Sequence, residues 1–255
     1  MTILVNTPEY SRLPDKDKFR LCNLGAKRIK GKLMVSYKNI KCNMWMSEVK
    51  YSPKPKHTYS IIRNPRELVL SQYFHCSESK DHAKFSYRMP SLDVWLESWV
   101  SALTNTSKAE KCDKLFHCYD PRNMQSMYVD FHPENKYHTL DDIQRKFTVI
   151  APMEQMDASI CVIFIHYTGW VPEVCDCTFP HSNHHDDETI RRADHGVKHH
   201  GASYNTTKHQ DELIHQLVET DHLIHEYTKQ LFARQLLLTQ EKFNITICSK
   251  IKHQG

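Results

Sequence analysis

Thr58-Tyr-Ser-Ile-Ile62-Arg63-Asn64-Pro65-Arg66-Glu67-Leu-Val-Leu-Ser71 sets a β-branched and aromatic run directly against a helix-start signal. Thr58 to Ile62 has the composition of a buried strand. Asn64 is a good N-cap, Pro65 suits the first helical position, and Glu67 stands three residues after the cap, which together spell a capping box. The helix is expected to continue through Leu68, Val69, Ser71 and Gln72 to about His75. Local chemistry therefore specifies strand, tight turn and helix in succession, the basic unit of an α/β fold.

Upstream, Ser52-Pro-Lys-Pro-Lys56 is a stiff turn, because two prolines fix φ and remove backbone donors. Residues 1–50 form a poorly defined N-terminal segment, in which Pro14 to Lys18 reads as loop and Leu33 to Tyr37 as a strand. Residues 51–247 are expected to make one α/β domain, with 248–255 as a tail.

Downstream, Ser91 caps a helix with Val94, Trp95, Trp99 and Leu103 on one face. Asp120 to Gln125 is a turn into a short helix, Phe147 to Pro152 a buried strand, and Asp157 to Ile165 a helix. Residues 166–206 are a long, polar, histidine-rich stretch, read as an ordered surface loop; compact domains rarely hold one that long without a use for it. Thr207 to Gln210 is a second capping box. It opens a helical region to about Phe243, broken near Thr220, with Thr220 or Asp221 capping the second part. Strands alternating with helices predict a three-layer α/β domain with a short parallel sheet.

A formal charge of +4 over 255 residues is too small for a nucleic-acid coat, so nucleic acid is not an expected partner; a local pocket for a small anion fits better. Eighteen histidines, several between His181 and His209, would add positive charge at mildly acidic pH. Nine cysteines are too few for a disulfide scaffold and show no paired Cys-x-x-Cys spacing, Cys175-Asp-Cys177 being the nearest approach. Sequons at Asn105, Asn205 and Asn244 favour a secretory lumen. The longest apolar run, Ile160 to Ile165, is too short to cross a bilayer, and residues 1–30 have no signal-peptide pattern. The expectation is a catalytic fragment without an N-terminal anchor.

Arg63 stands where a strand ends and a helix begins, the edge at which open α/β sheets bind ligands. The helix N-terminus supplies free N–H groups and partial positive charge, and a guanidinium fork matches phosphate oxygens. Ser71 lies two turns along the helix and reaches the same anion only if that anion lies beside the helix. This geometry suits a phosphate monoester on a nucleotide.

The run from Tyr59 through Arg63 and Pro65 to Ser71 resembles the 3′-phosphate motif of sulfotransferases, with Asn64 in place of the usual aspartate. Asn123-Met-Gln125, Val149 to Ser159 and Asp221 to Phe232 resemble segments of the Golgi-type carbohydrate branch, so the resemblance spans residues 58–247. It implies a P-loop-like sulfotransferase fold, the co-substrate 3′-phosphoadenosine 5′-phosphosulfate, a glycan or glycoprotein acceptor, a Golgi lumen location with a membrane anchor, and no required metal. Arg63 and Ser71 would hold the 3′-phosphate. A late basic loop with Arg191, Arg192 and Lys198 would lie over the nucleotide.

The departure is at the other end of the donor. The family's glycine-containing loop after its first strand, which holds the 5′-phosphosulfate, is not recognisable. Asn23 to Lys32 has glycine and lysine, but neither a clean strand before it nor a clear helix after it. His57 and Glu154 are the candidates for the general base. Two other readings remain: a catalytically inactive nucleotide- or glycan-binding relative, favoured by the missing loop, and a metal-binding protein using His181 to Asp187.

Overall fold

The computed structural model describes residues 2–5, 26–29, 32–37, 40–47, 50–51, 53, 57–78, 89–135, 138–169, 171, 175–178 and 204–248, with the backbone alone for 2–47, His57 and Thr168. The fold is mixed α/β. In chain order the elements are β1 (Thr2–Val5), β2 (Ala26–Ile29), β3 (Lys32–Tyr37), β4 (Ile40–Ser47), β5 (His57–Ile62), α1 (Pro65–Glu78), α2 (Leu92–Val100), α3 (Thr106–Phe116), α4 (Met124–Tyr128), α5 (Leu140–Lys146), β6 (Val149–Pro152), α6 (Met156–Thr168), α7 (Lys208–Leu217) and α8 (Glu219–Phe243).

The strands form one sheet in the order β2-β3-β4-β1-β5-β6. Only β5 and β6 are parallel, with Tyr59 opposite Val149 and Ile62 opposite Pro152. Every other pair is antiparallel. The expected parallel sheet is therefore limited to this pair, and residues 1–50 contribute four strands where the sequence shows one. The reason lies in the side-chain pattern. From Thr58 to Ile62 and from Val149 to Pro152 both parallel strands are buried on both faces, as such strands are, with β-branched, aromatic and small side chains. Antiparallel strands tolerate polar alternation, which leaves a weaker signature.

The described residues fall into two compact units. One lies within Met1–Ile62, Tyr128–Arg191 and Glu226–Gly255, and the other within Arg63–Met127 and Arg192–His225. The core of the first gathers Tyr59, Ile61, Val149, Val162, Ile163, Ile165 and Phe232. The core of the second gathers Leu70, Phe74, Trp95, Leu96, Trp99, Phe116, Ile214 and Leu217. Each such side chain contributes roughly 1.5–3 kcal/mol on leaving water.

In the second unit α2 buries Leu92, Trp95, Leu96 and Trp99, at the helical spacings i, i+3, i+4 and i+7. Val94 and Leu103 are 49% and 38% exposed, so they are not on the buried face the sequence suggested. Val94 sits about 100° round the helix from Trp95 on the far side from Leu96, which turns it to water. Ser91 caps α2 as expected, its Oγ accepting from the Val94 N–H. The Thr207 capping box is complete, with Gln210 N–H donating to Thr207 Oγ1 and Thr207 N–H to Gln210 Oε1.

Three disulfides form among the described cysteines: Cys76–Cys118, Cys161–Cys175 and Cys177–Cys248. Cys112 is a buried thiol. Disulfide stapling is thus a larger part of the fold than the cysteine count suggests, because pairings at long separation leave no local motif. No described helix is long and apolar enough to cross a membrane. The Cys76–Cys118 bridge joins residues 42 apart in sequence. Replacing both cysteines by serine is expected to lower the unfolding free energy by roughly 2–4 kcal/mol, measured by chemical denaturation against the oxidised parent.

Candidate functional site

The turn from β5 into α1 has the local chemistry expected of it. Asn64 Oδ1 accepts the Glu67 N–H at 3.3 Å, and the Asn64 carbonyl accepts the Leu68 N–H at 3.0 Å. Asparagine therefore caps α1 as aspartate would. Glu67 takes a different role from the reciprocal half of a capping box: its carboxylate lies 3.8 Å from Arg63 Nε.

Glu67 and Ser71 stand four apart on one face of α1, while Arg63 lies before the Asn64 cap and meets Glu67 through its side chain. The Arg63 and Glu67 side chains are 19% and 29% exposed, and Ser71 is half-buried. Residues four apart on a helix have Cβ atoms about 5–6 Å from each other. Glu67, which the Arg63 guanidinium faces, is therefore one such step from Ser71. Arg66 is committed elsewhere: its Nε donates to Asp211 at 2.8 Å, and its remaining contacts go to Thr206 and the Tyr204 carbonyl.

The Arg63 backbone is clamped by a side chain 62 residues away. Its N–H donates to Gln125 Oε1 at 2.7 Å, and Gln125 Nε2 donates to its carbonyl at 2.9 Å. Gln125 is buried and is held in turn by Asp221. The Asp221 carboxylate, fully buried, accepts the N–H of Gln125 at 3.0 Å and of Ser126 at 2.7 Å. Asn123 closes the circuit: its Oδ1 accepts the N–H groups of Thr220 and Asp221 at 2.9 and 3.2 Å, and its own N–H donates to the Leu217 carbonyl at 2.9 Å.

Two helix starts thus cap each other. Asp221, in the first turn of α8, caps α4, and Asn123, just before α4, caps α8. This corrects the expectation that Thr220 or Asp221 caps its own helix; α8 already begins at Glu219, and its free N–H groups are met from outside. It also gives Asn123 and Gln125 a structural duty, holding the Arg63 turn. Asn123 has a φ of 44°, in the left-handed region that asparagine tolerates better than most residues.

His57 opens β5 and Ile62 closes it, so about 16 Å of strand separates His57 from the strand end that leads into Arg63. Its backbone stands opposite Val5, and its side chain lies outside the described residues. That is the wrong end of the strand for a base serving a ligand at the strand terminus. Glu154 follows β6, exposed, in the 3-10 turn Met153–Gln155. Since Ile62 and Pro152 stand opposite one another, Glu154 leaves β6 at the end where β5 terminates.

Arg191, Arg192 and Lys198 lie outside the described residues, as does the His181 to Asp187 cluster. No group of three or more metal-ligating side chains occurs among the described residues. The glycine- and lysine-bearing stretch from Asn23 to Lys32 holds β2 and the start of β3, which pair antiparallel, Ile29 opposite Lys32. Its described residues are thus an antiparallel strand pair. One surface concavity lies beside Lys208, Asp211 and His215 and another beside Asp141, Tyr227 and Arg234; neither includes Arg63 or Ser71.

Comparison with family models, with curated proteins and with solved structures found no match.

Burial pushes the Asp221 carboxyl up to about 6, against the Gln125 and Ser126 N–H bonds that favour its ionised form. A carboxyl raised in the folded state binds its proton more tightly there than in the unfolded chain. Its contribution to stability is therefore complete below about pH 4 and declines as pH rises to about 6. Asp221→Asn is expected to remove that decline and to destabilise the chain at neutral pH by about 1–3 kcal/mol, since an amide oxygen and NH2 group cannot accept two N–H bonds as the carboxylate does. Denaturation midpoints of parent and variant across that pH range check both effects.

Proposed function

We propose that this chain is a sulfotransferase-type protein that grips the 3′-phosphate of 3′-phosphoadenosine 5′-phosphosulfate with Arg63 and Ser71, and that its acceptor is a carbohydrate hydroxyl. The observation that carries the reading is Arg63 against Glu67 at a helix start whose Glu67 and Ser71 share one face, with the Arg63 backbone fixed by Gln125. A fixed backbone presents the guanidinium to an anion at small entropic loss. The α1 N-terminus adds its partial positive charge. On this reading the finer architecture is a three-layer, P-loop-like domain around β5 and β6.

In this role Arg63 offers two parallel N–H donors to a phosphate dianion, and Ser71 donates its hydroxyl from the helix flank. Glu67 occupies the guanidinium in the absence of the nucleotide and gives way to it. The donor supplies the sulfuryl group, and a base must take the acceptor hydroxyl proton as the sulfur–oxygen bond to the departing bisphosphate breaks. Glu154, at the β6 end, is the base this reading retains. Arg191, Arg192 and Lys198 complete the reading as the cover over the nucleotide. The three disulfides support a secretory compartment such as the Golgi lumen, where thiols oxidise.

A second reading is favoured by the sheet itself. A loop that holds a 5′-phosphosulfate at this edge must follow a strand parallel to β5. On the side of β5 away from β6 the neighbouring strand is β1, which runs antiparallel and ends with Val5 opposite His57. No strand-loop-helix stands in that place among the described residues. A chain built this way binds the bisphosphate end of the nucleotide and turns over slowly or not at all.

Calorimetric titration with adenosine 3′,5′-bisphosphate tests the shared premise. Arg63→Ala is expected to weaken binding by about 1.5–3 kcal/mol, the scale of hydrogen bonds to a charged group. Glu67→Gln is expected to tighten it by up to about 1 kcal/mol, because a partly exposed competing carboxylate is removed. Unchanged affinity in Arg63→Ala would refute the site. Labelled-donor transfer to a glycan panel then separates enzyme from inactive binder.

A further inference from the structure

Asn105, Asn205 and Asn244 each begin an Asn-x-Ser/Thr triplet, completed by Ser107, Thr207 and Thr246. All three asparagines are exposed, and so are the three hydroxyl-bearing residues that complete the triplets. The other asparagines with described side chains, Asn64, Asn123 and Asn135, are all half-buried, and none begins such a triplet. Exposure thus divides the asparagines along the same line as the triplet does. Burial acts on residues singly and has no reason to respect a three-residue pattern unless the pattern is in use.

The local backbone is equally permissive. Asn105 precedes α3 with extended φ and ψ, and its Oδ1 accepts the Lys108 N–H at 3.0 Å. That leaves the Nδ2 side of the amide to react, and a substituted amide keeps the carbonyl that makes the cap. Asn205 lies in the segment leading into α7, two residues before its Thr207 cap. Asn244 follows the last residue of α8 with a φ of 50°. Each stands at a helix boundary, where a bulky substituent can leave the surface without displacing a packed neighbour. The three disulfides place the chain where asparagine-linked sugar is added.

We propose that Asn105, Asn205 and Asn244 are all acceptors of asparagine-linked oligosaccharide. The donor class is a lipid-linked oligosaccharide diphosphate. A bond forms between Nδ2 and the anomeric carbon, the bond from that carbon to the diphosphate oxygen breaks, the lipid diphosphate leaves with the electron pair, and one Nδ2 proton is released. None of the three asparagines belongs to the Arg63, Glu67 and Ser71 group, so the modification is independent of the nucleotide reading.

The full chain, produced in eukaryotic cells behind a cleavable secretion signal, is treated with peptide N-glycosidase in heavy-oxygen water and mapped by mass spectrometry. Labelled aspartate at positions 105, 205 and 244 is the expected result. Ser107→Ala, Asn205→Gln and Asn244→Gly remove the sites one at a time while keeping the α3 cap, the Thr207 capping box and the left-handed turn. Each variant is expected to gain one step of electrophoretic mobility, and the triple variant to match the glycosidase-treated parent. A secreted parent whose mobility the glycosidase leaves unchanged overturns the proposal. An unlabelled asparagine at any one position overturns it there, without recourse to a variant.

Discussion

A buried carboxylate held by two backbone N–H groups is the constraint from which the Arg63 turn takes its position. Asp221 has no exposure to water, and an unpaired charge there would cost several kcal/mol. It is tolerable because the first N–H groups of α4 have no partner of their own and need an acceptor. Asn123 meets the same need in the opposite direction, at the start of α8. Neither helix start is satisfied alone. The pair is a closed hydrogen-bond circuit, so removing any member strands a donor or acceptor inside the protein.

Gln125 connects this circuit to the proposed anion site. Its side-chain amide pairs with both backbone groups of Arg63 as a neighbouring strand would, just beyond the last residue of β5. The Arg63 turn is therefore fixed by its N-cap on one side and by Gln125 on the other. Arg66 is tied to Asp211 at the start of α7, which leaves Arg63 and Glu67 as the charged pair at the start of α1. A loose contact at 3.8 Å between two partly exposed side chains is weak, and a phosphate dianion with geometric fit can outcompete it.

Where local chemistry dominates, the sequence is a good guide. The β5 strand, the Asn64 cap, α1, the Ser91 and Thr207 caps, β6 and α6 all follow from propensity and capping within a few residues. The break between α7 and α8 is also legible, near Thr220. What is not legible is which partner satisfies each polar group. Asn123, Gln125 and Asp221 stand out in the sequence, yet their partners lie 62 to 98 residues away, and no spacing rule encodes such pairings. On α2 the sequence points to Val94 and Leu103, whereas Leu92 and Leu96 are the residues buried beside Trp95 and Trp99. Strand β3 is legible in Leu33 to Tyr37, whereas β1, β2 and β4 are too short or too mixed in composition to stand out, and the disulfides escape because Cys76, Cys161 and Cys177 pair across 42, 14 and 71 residues.

The central claim is that one cooperative circuit, and not the turn sequence alone, holds Arg63 where an anion can meet it. Amide hydrogen exchange measures this directly. The Arg63, Gln125, Ser126, Thr220 and Asp221 N–H groups should be protected to a common degree and exchange in a single opening event, although Arg63 lies in an irregular turn. An Arg63 amide that exchanges as freely as an exposed loop, while the α8 start stays protected, would contradict the account.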